Sequence, residues 1–166
     1  MSRANILDPV LRSIAQAYQE QLVKYLAMER LAQEQRKAIE DRDIESLENI
    51  IKERQELIEA IEALNRKLRP LKEEIVEALG LESFTSKGIL QEAPGIGAQE
   101  LDQVLGRIGQ ILMGIKELDK NNEELLRAEL NAVKSDLKEI QNKKQVNKAY
   151  GSLSKYQDSK FFDTNK

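Results

Sequence analysis

Cysteine and histidine are both absent from this chain of 166 residues, and aromatic side chains make up only 4% of it. Without thiolate or imidazole groups a zinc site of the usual kind, a thiol nucleophile and a histidine-based triad are excluded, and thiol redox chemistry and a disulfide framework go with them. A Gly-rich phosphate loop is also missing, and no nucleophile stands beside a base, so the sequence speaks against an enzyme and calls for no cofactor and no metal. With 29 acidic residues, some carboxylate pairs are inevitable and none can be singled out for acid-base work. No window approaches the roughly 20 apolar residues of a membrane span, and residues 1–9 lack an apolar core of signal-peptide length. The expectation is a soluble, cytoplasmic protein without membrane insertion.

What the chain has in abundance is charge. Charged residues make up 33% and hydrophobic ones 40%, which suits long, surface-rich helices better than a thick core. The formal net charge of −3 is unevenly spread. Residues 143–166 hold six Lys against Asp158 and Asp163, leaving +4 there and −7 over the rest, so the two parts should have different partners.

Apolar residues recur at steps of three and four. Asp8-Pro9 reads as the start of a first helix over 8–42, with Leu11, Ile14, Tyr18, Leu22, Tyr25, Met28 and Ala32 on one stripe. Asp43 can cap a second helix over 43–79, with Leu47, Ile50, Ile51, Leu57, Ile58, Ile61, Leu64, Leu68, Leu71, Ile75 and Leu79 inward. Pro70 should kink or break it near Arg69, and Gly80 should end it. Residues 80–97 carry five Gly or Pro and read as a loop. A third helix over 98–146 follows the stripe Leu101, Val104, Leu105, Ile108, Ile111, Leu112, Ile115, Leu118, Asn122, Leu126, Val133, Leu137 and Ile140, with a flexible basic tail at 147–166. The fold class is all-α: an elongated antiparallel hairpin or bundle of three long helices, four should Pro70 break the second.

Four features weigh on function. Pro94-Gly95-Ile96-Gly97 opening a helix resembles the hairpin of helix-hairpin-helix DNA-binding modules, whose free amides hold phosphate. Here Glu92, Glu100 and Asp102 flank the turn and the first following cation is Arg107, so phosphate would be repelled and nucleic acid is not expected. Gly106, Gly109 and Gly114 each cost about 1 kcal/mol of helix propensity, which close approach of another helix would offset. That helix is either the bundle's own or a client lying on Ile108, Ile111, Leu112, Ile115 and Leu118. Asn122, in register with the seam, reads as a buried amide that fixes register. The tail holds four of the seven aromatics, and Tyr150, Leu153, Tyr156, Phe161 and Phe162 read either as anchors for a partner's pocket or as side chains folded back on the bundle.

Three stretches together resemble the flagellar export chaperones of the FlgN type and their FliT relatives. They are residues 43–58, DIESLENIIKERQELI; Asn122 followed by Leu125-Leu126; and Ala149-Tyr150-Gly151 with Ser159-Lys-Phe-Phe-Asp163. The resemblance implies a cytoplasmic chaperone, itself using no ATP, that keeps the terminal helices of hook-filament junction proteins from associating early and delivers them to the export gate. It implies subunit binding by the third helix with the tail, and a gate contact for Tyr150. The 80–98 loop and its Pro-Gly-Ile-Gly turn have no counterpart in the resemblance. The competing expectation is a scaffolding coiled coil acting by self-association; monomer and homodimer both stay open.

Overall fold

The structure is a computed structural model that describes the backbone of residues 3–164 and the side chains of residues 5–151. Among the described residues four helices follow in order: α1 (Arg3–Glu40), α2 (Ile44–Leu79), α3 (Ser86–Glu92) and α4 (Ile96–Thr164). No strand occurs among the described residues, so the all-α class holds. The chain divides into two units, Met1–Glu123 and Glu124–Lys166.

In the first unit, α1 and α2 form the hairpin that the stripes predict. Both helices end in the same left-handed motif. At the end of α2, Gly80 takes φ 64° and the amides of Gly80 and Leu81 donate to the carbonyls of Glu77 and Val76. At the end of α1 the left-handed position falls on Arg42, φ 53°, with the Asp43 amide donating to Ala38 O. Asp43 then caps α2 as expected. Its Oδ1 accepts from the Ser46 amide at 3.1 Å and its Oδ2 from the Ser46 hydroxyl at 2.7 Å, and these bonds hold its carboxyl below the ordinary 3.8.

The first part of α4 packs into the groove of this hairpin. Asp8 bonds Gly97, and Ala32 bonds Asn122. These pairs lie 89 and 90 residues apart in sequence, so α4 runs parallel to α1, and antiparallel to α2, with a constant offset. The main core gathers Leu7, Leu11, Ile14, Tyr18 and Leu22 of α1, Leu68, Ile75 and Leu79 of α2, Ile89 of α3, and Leu101, Val104 and Ile108 of α4. A smaller cluster of Met28, Ile61 and Ile115 follows, and the last, Leu31, Ala38 and Ile50, contains α1 and α2 alone. The core thus thins from four elements to two. Burial, and secondarily Tyr18, pushes the Tyr25 phenol up from its usual 10.0.

Several boundaries differ from the sequence reading. Helix α1 starts at Arg3 rather than at Asp8, because Leu7 is buried one turn ahead of Leu11 and extends the stripe backwards. The Asp8 carboxylate turns to Gly97 instead of capping its own helix. Pro70 does not break α2. It sits on the exposed side, where the carbonyl it leaves unpaired meets water, while Leu68 and Ile75 hold both flanks in one core. The fourth helix is α3, inside the expected loop: Thr85 Oγ1 accepts from the Gly88 amide at 3.1 Å, and Ile89 is fully buried. Lys72 Nζ, 5.1 Å from the centre of the Phe84 ring, ties the segment before α3 to α2. Ile51, expected inward, is exposed because Ile50 takes the core side of that turn. Finally, the helical backbone continues past residue 146 to Thr164. After Val146 there is no Pro, and Gly151 alone, at about 1 kcal/mol, is too small an interruption to end it.

Candidate functional site

The expected client face, Ile108 to Leu118, is largely spent inside the first unit. Ile108 and Ile115 are buried in the chain's own core, Ile111 packs between the two larger clusters, and Leu118 is half-buried. Only Leu112 is exposed, beside Met113. The reason is geometric. A helix that supplies the third side of a bundle must commit its a/d-type stripe to that bundle, and only residues off the stripe remain for another protein.

The three glycines divide. A Cβ at Gly114 would lie 3.1 Å from Glu29 Oε2 of α1, whereas one at Gly106 or Gly109 would meet nothing within 4 Å, so among the described residues no other helix approaches those two. The tightest approach along α4 occurs at Gly97, where a Cβ would lie 2.8 Å from Asp8 Oδ1, 3.0 Å from the Asp8 carbonyl oxygen and 3.1 Å from Leu11 Cβ. The amide that a phosphate would need at this helix start donates to Asp8 Oδ1 at 2.8 Å, and Asp8 Oδ2 pairs with Arg12 at 2.8 Å. The chain supplies its own anion there.

Where the three-helix packing ends, polar groups take over. Arg54 of α2 donates through both terminal nitrogens to the two carboxylate oxygens of Asp119 on α4, each at 2.7 Å, and through one of them to Gln35 on α1 at 2.8 Å. One turn on, buried Asn122 donates from Nδ2 to Ala32 O at 2.8 Å, while its Oδ1 is enclosed without a protein partner. Asn122 therefore sits in the seam as the periodicity indicates, and it bonds α1. Neither the Arg54 fork nor the Asp8 cap has a signal in local sequence.

The second unit presents a different surface. On α4, Leu130, Val133, Leu137 and Ile140 are all exposed, with half-buried Leu126 one turn before them. Steps of four, three, four and three residues put the five side chains on one stripe at a heptad spacing. Leu130, which the seam read from sequence skips, completes it. Beyond it the chain turns basic, and Tyr150 is 69% exposed. Leu153, Tyr156, Phe161 and Phe162 lie outside the residues whose side chains are described. Among the described residues no group of carboxylates is placed to hold a metal, and no helix is long and apolar enough to cross a membrane.

An exposed heptad stripe on a helix that begins in a closed bundle suits a protein that binds other helices. The profile of the family described as FlgN protein matches residues 10–158, which takes in α1, α2, α3 and nearly all of α4. No curated protein sequence and no solved structure matches the chain. That match covers far more than half of the chain, and the chain therefore belongs to the FlgN family of flagellar export chaperones.

Proposed function

We propose that this chaperone holds the amphipathic terminal helix of a hook-filament junction protein on the Leu126–Ile140 stripe of α4, in the cytoplasm, and delivers it to the export gate. The exposure of four aliphatic side chains at heptad spacing carries the proposal. Covering half-exposed side chains of this size yields on the order of 1 kcal/mol each, enough for reversible holding after the ordering costs of association. Release then needs only a competitor for the same surface. The client stripe replaces the 108–118 face, of which Leu112 and the neighbouring Met113 remain accessible. Tyr150, with Leu153, Tyr156, Phe161 and Phe162 farther along, is proposed to meet a second partner at the gate, where the lysines of residues 143–166 favour an acidic surface.

Calorimetric titration of the full chain with a purified junction protein tests this. Leu130→Asp with Leu137→Asp should abolish binding, while Leu112→Ser with Met113→Ser should leave it intact. The opposite pattern moves the client to the first unit and ends the proposal. Tyr150→Ala should keep client affinity and lower export; loss of client affinity instead would remove the separate gate role.

A further inference from the structure

Asn65, Arg69, Lys72 and Val76 follow one another along α2 at steps of four, three and four, so they share one face of that helix. Together with residues 80–84 this face lines a groove of about 720 Å³, a size that takes a small ligand or a few side chains of a peptide. None of its lining residues belongs to the α4 stripe.

One end of the groove is a set of N–H donors. Gln21, 2% exposed, donates from Nε2 to Asn65 Oδ1 at 2.7 Å, which fixes the Asn65 side chain and leaves its Nδ2 as a donor with no acceptor among the described residues. Lys72 Nζ lies 6.0 Å from the centre of the Tyr18 ring and 5.1 Å from that of Phe84, so ring faces rather than a carboxylate hold the ammonium. Arg69 forms no ion pair among the described residues. Glu73 is one turn away, but a cation preceding an anion is the weaker order along a helix, and the two do not pair. Three donors thus stand together with no anion of the chain engaging them.

The other end is apolar and then acidic. Val76, Leu81 and Phe84 are half-buried and form a wall, rimmed by Glu77 and Glu82. Helix α2 also ends at Leu79, where its last carbonyls add partial negative charge. Charge therefore changes sign over the roughly 12 Å of helix rise from Arg69 to Glu77, the span of about five residues of extended chain.

We infer that the groove binds a short extended segment of another protein, acidic at one end, bulky and apolar in the middle and basic at the other, with its acidic end at Asn65, Arg69 and Lys72. A carboxylate there gains a two-pronged bond from the Arg69 guanidinium and a further one from the Asn65 amide. The apolar side chain covers Val76 and Phe84, and the basic one meets Glu77 and Glu82. An anionic lipid surface matches only the first of these contacts, because it would press phosphate against the glutamates. The site is separate from the α4 stripe and stands whether or not a client docks there.

The test uses the full chain and a blocked synthetic peptide of two aspartates, a leucine, a phenylalanine and a lysine, in that order. Anisotropy of the fluorescently labelled peptide should report a dissociation constant below about 1 mM. Arg69→Gln, or asparagine in place of both peptide aspartates, should each weaken binding about tenfold. Lys67→Gln removes the same charge from a residue outside the groove and should leave binding unchanged. Arg69 and Lys67 are both exposed, so neither substitution threatens the fold. A nitroxide on the peptide's acidic end should broaden the amide resonance of Arg69, and one on its basic end that of Gly80. No binding below about 1 mM, equal losses from Arg69→Gln and Lys67→Gln, or the reverse pattern of broadening would each overturn the inference. Retention of the chain on phosphatidylglycerol vesicles that Arg69→Gln abolishes would also overturn it, assigning the groove to a membrane surface instead.

Discussion

Asp8 caps a helix that begins 89 residues later: its Oδ1 accepts the Gly97 amide at 2.8 Å while its Oδ2 holds Arg12. The contact joins the first turns of α1 to the first turn of α4 and sets the register of the two parallel helices. Removing the carboxylate by Asp8→Ala should lower stability by about 1–2 kcal/mol, read as a lower urea midpoint, whereas Asp8→Asn should retain much of the cap.

The glycines of α4 should separate cleanly by position. Gly97→Ala brings a methyl against Asp8 and Leu11 and should cost about 1–3 kcal/mol. Gly106→Ala and Gly109→Ala enter open space and should each raise stability by about 0.5–1 kcal/mol. Thermal unfolding of the three variants checks the contrast; a neutral Gly97→Ala would mean that α1 and α4 do not approach as described.

Arg54 reaches two other helices at once, and its loss should be felt at both. Arg54→Ala should cost about 1–2 kcal/mol, since the fork to Asp119 is charge-assisted and Arg54 is only partly exposed. A double-mutant cycle with Asp119→Ala should return a coupling of about 1 kcal/mol that shrinks in high salt, because Asp119 is accessible to water.

Asn122 has one satisfied and one unsatisfied polar atom, both enclosed. Asn122→Leu should therefore leave stability unchanged or raise it by up to about 1 kcal/mol in urea unfolding. The bond to Ala32 that specifies register would be gone. Broadened amide resonances from residues 115–123 would mark that loss.

Asp43 predicts the acid behaviour of the α1–α2 turn. Its carboxyl is held below the ordinary 3.8 in the folded chain by Ser46, so the cap contributes fully above that value and is lost as pH falls through the lower folded value. Asp43→Asn should reduce the fall in stability below about pH 4, and following the Asp43 side-chain carbon by NMR should show a depressed midpoint.

Much of the bundle was legible in the sequence because it rests on local periodicity. The seams through Leu11 and Leu22, through Ile61 and Ile75, and through Leu101 and Ile108 all proved buried. Gly80 and Asp43 announced a helix end and a helix start through their side-chain chemistry. Arg42 did not, since arginine carries no preference for the left-handed turn it adopts. The division of α4 into a part that closes the bundle and a part that stays exposed was also hidden. Ile108 and Leu137 share one stripe and similar neighbours, yet Ile108 is buried against residues of α1 and α2 while Leu137 is exposed, and that depends on side chains of two other helices. The Arg54 fork likewise depends on residues 19 and 65 positions away.

The constant offset between α1 and α4 bears on the order in which the molecule assembles. The Leu31, Ala38 and Ile50 cluster joins residues close in sequence across the Asp41–Asp43 turn and can form as soon as the hairpin leaves the ribosome. The broad end of the core cannot, because Leu11 and Ile14 wait for Leu101 and Ile108, and Asp8 for Gly97. A nascent chain thus carries its largest apolar surface uncovered until two-thirds of it has been synthesised, and the segment that covers that surface also leads directly into the exposed stripe.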